Sequence, residues 1–329
     1  MKRILAALLC LVALFTLCAC SGGGSPAETQ AVRVGIIQFA DHPSLDNCRE
    51  GFLEGMEKAG YKEGENVTYD YQNAQADMAN CNTICQKFVA DGCDLIVAIA
   101  TPAAQAAYNA AKDKEIPVIY SAVSTAVESG LADSLDKPGR KATGTSDILP
   151  VDKQIALIQQ LVPGAKTLGV LYNAGEVNSQ VQVKMLEEAA QAAGYTLVSA
   201  TVATSNDVPL ALDSVLSKCD VLVNVLDNTV VNAMKLLVGK CEQKRIPIIG
   251  SEEEQVSNGA LASDGIDYIV LGNQTGAMAA EVLGGADPAE MAVQVFDAEA
   301  ENIFINETVA QKLGIEVPAD LRNRANLVK

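Results

Sequence analysis

Tryptophan is missing from the 329 residues, and histidine occurs once. A single histidine excludes a two-histidine zinc motif and any His-rich metal site. Basic residues are also scarce, with 24 Lys and Arg against 41 Asp and Glu, a net charge of −17. Binding to a phosphate backbone needs a basic footprint, so nucleic acid is not an expected partner. Docking to an anionic membrane through a polybasic patch is disfavoured for the same reason. Aromatic residues are few, 6 Phe and 8 Tyr. Catalytic signatures are lacking too. Gly35-Ile36-Ile37-Gln38 stands where a dinucleotide-binding glycine motif would follow the first strand. The chain has no Walker A sequence, no G-x-S-x-G elbow and no H-E-x-x-H. The expectation is a protein that is not an enzyme and needs no cofactor or metal. What is present is a hydrophobic content of 49%, enough for packed cores. The length suits two domains of ~150 residues each.

The first segment reads as a leader. Lys2 and Arg3 precede an apolar run from Ile4 to Ala19. That run is shorter than the ~20 residues needed to span hydrocarbon, so 1–19 is expected to be a signal peptide. Leu17-Cys18-Ala19-Cys20 resembles a bacterial lipobox, which makes Cys20 the expected lipidation site. Ser21-Gly22-Gly23-Gly24-Ser25-Pro26 follows at once, and 20–30 reads as a flexible tether. Loss of Lys2 and Arg3 leaves 22 basic against 41 acidic residues, a charge of −19. Of nine cysteines, Cys10 and Cys18 leave with the leader. Cys48, Cys81, Cys85, Cys93, Cys219 and Cys241 remain, as buried thiols or as disulfides.

From Val32 the chain alternates short apolar runs with amphipathic stretches. Val32–Phe39 reads as a strand and Ser44–Ala59 as a helix, closed by Gly60. Val67–Tyr71 is a strand, Met78–Ala90 a helix, and Asp94–Ala100 a strand apolar throughout, as parallel strands buried on both faces are. Thr101-Pro102 reads as an N-cap followed by a first-position proline. The plan then restarts. Gly35 and Gly60 are 25 residues apart, as are Gly169 and Gly194. Cys93-Asp94-Leu95-Ile96-Val97 is echoed by Cys219-Asp220-Val221-Leu222-Val223. Glu115-Ile116-Pro117-Val118-Ile119 is echoed by Arg245-Ile246-Pro247-Ile248-Ile249. The expected fold is α/β, two similar doubly wound parallel-sheet lobes around a cleft.

Ligands of open α/β sheets bind beyond the carboxyl ends of the strands. The candidates there are Gln38, Phe39, His42, Thr101, Pro102, Ala103, Tyr120, Ser121, Ser146, Tyr172, Asn173, Asp227, Asn228 and Ser251. Free N–H groups at a helix start, such as that of Ala103, suit a carboxylate. Asp227 could pair with an ammonium group or cap its own helix. Phe39, Tyr120 and Tyr172 could flank a planar ligand or pack at the lobe edges. His42 has no nucleophile partner at motif level and reads as a loop residue near the cleft.

These residues form motifs that resemble a known family. They include Ile36-Ile37-Gln38, His42-Pro43-Ser44-Leu45-Asp46, Ala100-Thr101-Pro102-Ala103-Ala104-Gln105 and Tyr120-Ser121-Ala122-Val123. Gly144-Thr145-Ser146-Asp147, Glu176-Val177-Asn178-Ser179, Asp227-Asn228-Thr229 and Asp267-Tyr268 continue the set. Over about residues 31–320 the chain resembles the substrate-binding lipoproteins of ABC importers of the tryptophan/tyrosine type, with the periplasmic-binding-protein type I (Venus-flytrap) fold. That resemblance implies two lobes joined by three crossings and closing over an amino acid, typically aromatic. It implies delivery to a permease with a separate ATPase subunit, from an extracytoplasmic, lipid-anchored position, by a monomer. The expected lobes are 31–145 plus 252–290, and 146–251 plus 291–329. The expected roles are Thr101, the Ala103 amide and Ser121 or Ser146 for the α-carboxylate, Asp227 for the α-ammonium, and Phe39, Tyr120 and Tyr172 around the side chain. A ligand-sensing lipoprotein without transport, or a nucleoside or sugar ligand, stays open as an alternative.

Overall fold

The structure is a computed structural model that describes residues 31–296 and 302–328. The expected leader, tether and Cys20 lie outside the described residues. Among those described, no helix is long and apolar enough to cross a membrane.

The first sheet holds β1 (Val32–Gln38), β2 (Val67–Asn73), β3 (Leu95–Ile99), β4 (Val118–Ser121), β5 (Ala142–Ser146) and β11 (Gln294–Val295), in the order β11-β5-β4-β3-β1-β2. The second holds β6 (Thr167–Asn173), β7 (Thr196–Val202), β8 (Val221–Val223), β9 (Ile248–Ile249), β10 (Ala262–Asp264), β12 (Ile303–Asn306) and β13 (Asn326–Val328), in the order β13-β12-β10-β9-β8-β6-β7. The first five strands of each lobe therefore run 2-1-3-4-5, which is the duplication read from the glycine spacings. All pairings are parallel except β10 with β12. Central strands are apolar on both faces because helices cover both; all five residues of β3 are buried.

In each lobe the strand order reverses beside the first strand, which opens a crevice at the carboxyl ends. The helices that follow are α1 (Pro43–Lys58), α2 (Met78–Ala90) and α3 (Thr101–Ala111) in the first lobe. In the second they are α4 (Val151–Leu161), α5 (Val177–Ala192), α6 (Val208–Leu216), α7 (Asn228–Val231), α8 (Met234–Lys244) and α9 (Glu253–Ser257). One helix, α10 (Tyr268–Leu283), returns to the first lobe and packs along α1. The two backbones touch. A Cβ on Gly51 would lie 2.3 Å from the Ile269 carbonyl oxygen, and one on Gly272 2.3 Å from that of Cys48. α11 (Glu307–Leu313) and α12 (Ala319–Arg324) finish the chain.

The lobe boundary differs from the sequence expectation of 252–290 in the first lobe. β10 pairs with β9 and β12, so the chain stays in the second lobe through Asp264 and returns only at α10. Conversely, β11 pairs with β5, which keeps 294–295 in the first sheet. Strand pairing decides this, and a three-residue strand carries no periodicity that would reveal its partner. The six cysteines at 48, 81, 85, 93, 219 and 241 are free and buried.

Candidate functional site

A narrow cavity lies between the lobes, at the carboxyl ends of both sheets. The first lobe contributes His42, Ser44 and Leu45 after β1, Ala100 and Thr101 after β3, and Ala122 and Ser124 after β4. The crossings contribute Asp147 and Tyr268. The second lobe contributes Asn178 from the start of α5, Leu226, Asp227, Asn228 and Val231 after β8, and Gln255 from α9.

Polar links close the lobes over this space. Gln182 Nε2 donates to Ser124 Oγ at 3.1 Å, Asn47 Nδ2 donates to Glu254 Oε1 at 3.0 Å, and His42 Nε2 meets Asn228 Oδ1 at 3.4 Å.

Two buried carboxylates border the cavity, and no Lys or Arg does. Asp147 accepts from Ser124 Oγ at 2.7 Å and from Tyr268 Oη at 2.9 Å. Burial still holds its carboxyl above the ordinary range. Asp227 accepts from the Val230 amide at 2.8 Å and the Asn173 amide at 2.5 Å. Burial, then the nearby Glu176 carboxylate, push it up to about 7. Glu176 itself accepts from both the amide and the side chain of Asn228 and of Thr229.

Four buried polar atoms on residues that line the cavity have no partner: His42 Nδ1, Thr101 Oγ1, Asn178 Oδ1 and Gln255 Nε2. Buried polar groups are nearly always hydrogen-bonded, so such a cluster marks a place where a ligand completes the network. Thr101 shows why its atom is spare. The N-cap of α3 is Ala100, one residue earlier than the sequence reading placed it. Thr101 is thus inside the first turn and has no cap bond to make. Ala100 adopts φ 82° and ψ 154°, and Ala122 φ 57°. Strained non-glycine residues of this kind cluster at binding sites.

Of the expected residues, His42, Thr101, Asp227 and Asn228 border the cavity. The others do not, and their positions explain it. Gln38, Tyr120, Ser121, Ser146, Tyr172 and Asn173 lie within strands, so their side chains stand off the sheet faces rather than along the strand axis. Gln38 bonds the Ala40 carbonyl and Asp46. Ser121 Oγ meets Thr275 Oγ1 at 2.9 Å under α10, Tyr120 and Phe39 are core, and Tyr172 packs against that core, half-buried. Asn173 bonds Thr229 Oγ1 at 2.8 Å. Ser146 is buried, and its carbonyl accepts from the Phe296 amide. Ser251 is tied to Asn224 and Gln154, while Pro102 and Ala103 are buried in the first turn of α3. The reading omitted Ser124, Asp147, Asn178, Tyr268 and Gln255. The first four sit in or beside the quoted motifs; Gln255 carries no sequence signal.

The comparisons agree with this geometry. Residues 33–329 match the family model described as ABC transporter substrate binding protein. The chain is 46% identical over 283 residues to a tyrosine-binding protein of Clostridioides difficile, covering 86% of this chain and 81% of that one. A Streptococcus pneumonia ABC domain solved in complex with L-Trp is 37% identical, with a TM-score of 0.87 over 91% of this chain and 100% of that one. The ligand-free, open structure of a substrate binding protein with adhesive properties from Clostridium difficile is 42% identical, with the same coverage and a TM-score of 0.68. The two-lobed sheets, the cavity at their carboxyl ends and these matches together place the chain in the ABC transporter substrate binding protein family.

Proposed function

We propose that the ligand is an α-amino acid with an aromatic side chain, carried for import through a partner permease and its ATPase. One observation carries the reading: two buried carboxylates and Asn178, whose Oδ1 has no partner, line a cavity with no cationic side chain. A buried charge needs a partner, and a ligand ammonium supplies it. The α-carboxylate then sits at the start of α3, an 11-residue helix. Its free amides and the spare Thr101 hydroxyl are donors for that group. Asp147, Asp227 and Asn178 take the ammonium. Leu45, Leu226 and Val231 wall the side chain, with Tyr268 as the tyrosine among them.

The relatives support this assignment, one named for tyrosine and one solved with L-Trp. The TM-score of 0.87 to the L-Trp complex, against 0.68 to the ligand-free open structure, supports reading these lobes as closed. Closure by a hinge at the crossings is the family of motion that fits. Lipidation at Cys20 and an extracytoplasmic position complete the proposal, on the strength of the leader-like first segment.

A thermal-shift screen of amino acids, nucleosides and sugars tests it. An upward shift with aromatic amino acids is expected. A response confined to sugars or nucleosides would remove the assignment.

A further inference from the structure

We infer that Gln182 is the latch of the closed form: standing outside the cavity lining, it ties one lobe to the other and sets how long a bound ligand stays. This rests on the reading above of lobes closed over an amino acid and adds the residue that holds them.

The hydrogen bonds give the latch a direction. The Leu226 amide donates to Gln182 Oε1 at 3.1 Å. A backbone N–H can only donate, which fixes the opposite atom of the Gln182 amide as Nε2, a donor. Gln182 Nε2 donates to Ser124 Oγ at 3.1 Å. Ser124 has one hydroxyl proton, and it goes to Asp147 Oδ1 at 2.7 Å. Tyr268 Oη donates to the other oxygen of that carboxylate at 2.9 Å. One unbroken run of donors thus starts at Leu226 and ends on Asp147. Every residue in it is buried.

The run passes from lobe to lobe at a single bond. Leu226 follows β8 and Gln182 lies on α5, both in the second lobe. Ser124 follows β4 in the first lobe, where the Val123 amide holds its loop to the Thr145 carbonyl at 3.2 Å. Leu226, Ser124, Asp147 and Tyr268 border the cavity, and Gln182 does not. The two other lobe-to-lobe links are weaker: Asn47 with Glu254 is only part-buried, and His42 with Asn228 spans 3.4 Å. Parting of the lobes must break the bond from Gln182 to Ser124, whereas the Leu226 bond stays inside the second lobe. A ligand held between closed lobes leaves only after they part, so this bond slows dissociation. The open form that a ligand first meets lacks the bond, so association does not depend on it.

Stopped-flow kinetics with L-tryptophan test the latch, since the chain has no Trp and the ligand's own fluorescence reports its binding. Gln182→Met keeps the length of the side chain and removes both polar ends. Gln182→Glu keeps the acceptor for Leu226 and removes only the donor to Ser124. Each should raise the dissociation rate about tenfold and leave the association rate within about twofold. Ser124→Ala acts on the same bond. Combined with Gln182→Met, it should raise dissociation by at least about threefold less than the product of the two single effects. The same cycle read by urea unfolding of the ligand-free protein should show a coupling under about twofold, because the bond belongs to the closed form. Dissociation within about twofold of the wild type in both Gln182 variants, an effect confined to association, or a full product in the double variant overturns the latch. An equal coupling in ligand-free unfolding also overturns it and makes Gln182 a static brace. Failure of L-tryptophan, L-tyrosine and L-phenylalanine alike to bind the wild type overturns the amino-acid reading instead, and the ligand-free cycle still separates latch from brace.

Discussion

Tyr268 Oη donates to Asp147 Oδ2 at 2.9 Å, joining the residue that follows β5 to the first residue of α10. Both stand where the chain passes between lobes. Tyr268 therefore steadies a buried carboxylate at the hinge and borders the cavity at once. Tyr268→Phe removes one of two side-chain donors to Asp147. It should cost about 1–3 kcal/mol in denaturant unfolding and weaken the ligand several-fold in calorimetry. An unchanged unfolding midpoint would show that the bond carries no net stability.

Asp227 has two roles that one substitution separates. Its carboxylate caps α7 through the Val230 amide. Asn caps a helix about as well as Asp, so Asp227→Asn retains much of the cap and loses the charge. Ligand affinity should fall more than tenfold. Unchanged affinity would leave Asp227 as a cap alone.

Two buried carboxyls near the seam, Glu252 and Asp227, set opposite pH trends for stability and binding. Glu252, beside Ser44 at the seam, is held up at about 7 chiefly by burial, as is Asp227. The folded state therefore binds protons that the unfolded state has released between about pH 4.5 and 7. Their contribution to stability is full below the unfolded carboxylate range and is lost as pH rises through 7. The ligand-free protein should melt higher at pH 5 than at pH 7.5, and Glu252→Gln should flatten that difference. Ammonium binding needs the ionised form, so affinity should drop about tenfold or more from pH 7.5 to 5.5. Calorimetry and melting at the two pH values check both signs; parallel trends would contradict the ammonium pairing.

Ala100 sits in backbone space that glycine occupies freely, at φ 82° and ψ 154°. Such strain costs on the order of 1–3 kcal/mol. Ala100→Gly should relieve part of it and raise the urea midpoint by an amount equal to about 1 kcal/mol. A lowered midpoint would mean that the methyl group's packing outweighs the strain.

Local structure was legible in the sequence because its signals are local. Met78–Ala90 matches its observed bounds, and Val32–Phe39 and Asp94–Ala100 lie within one residue of theirs at either end. Apolar runs, a helix-ending glycine and the repeated 25-residue spacing suffice for that. The site was legible only where it lies just past a strand end, as at His42, Thr101, Asp227 and Asn228. Residues inside the strands, such as Tyr120 and Tyr172, were read as facing the cleft, yet pleating turns them toward the helix layers.

The sequence by itself determined two duplicated α/β lobes, an acidic chain, and the strand ends as the place for a candidate site. Those follow from periodicity, charge and repeat, which survive without knowledge of distant contacts. Only the tertiary structure decided that β10 belongs to the second sheet and that Asp147, Asn178, Tyr268 and Gln255 meet one cavity. These residues come from a crossing and from three helix starts, and nothing within a short window of sequence records which of them converge. Their chemistry is likewise set by partners far along the chain. Glu176 orients the Asn228 amide and thereby decides which nitrogen of the single histidine is left free.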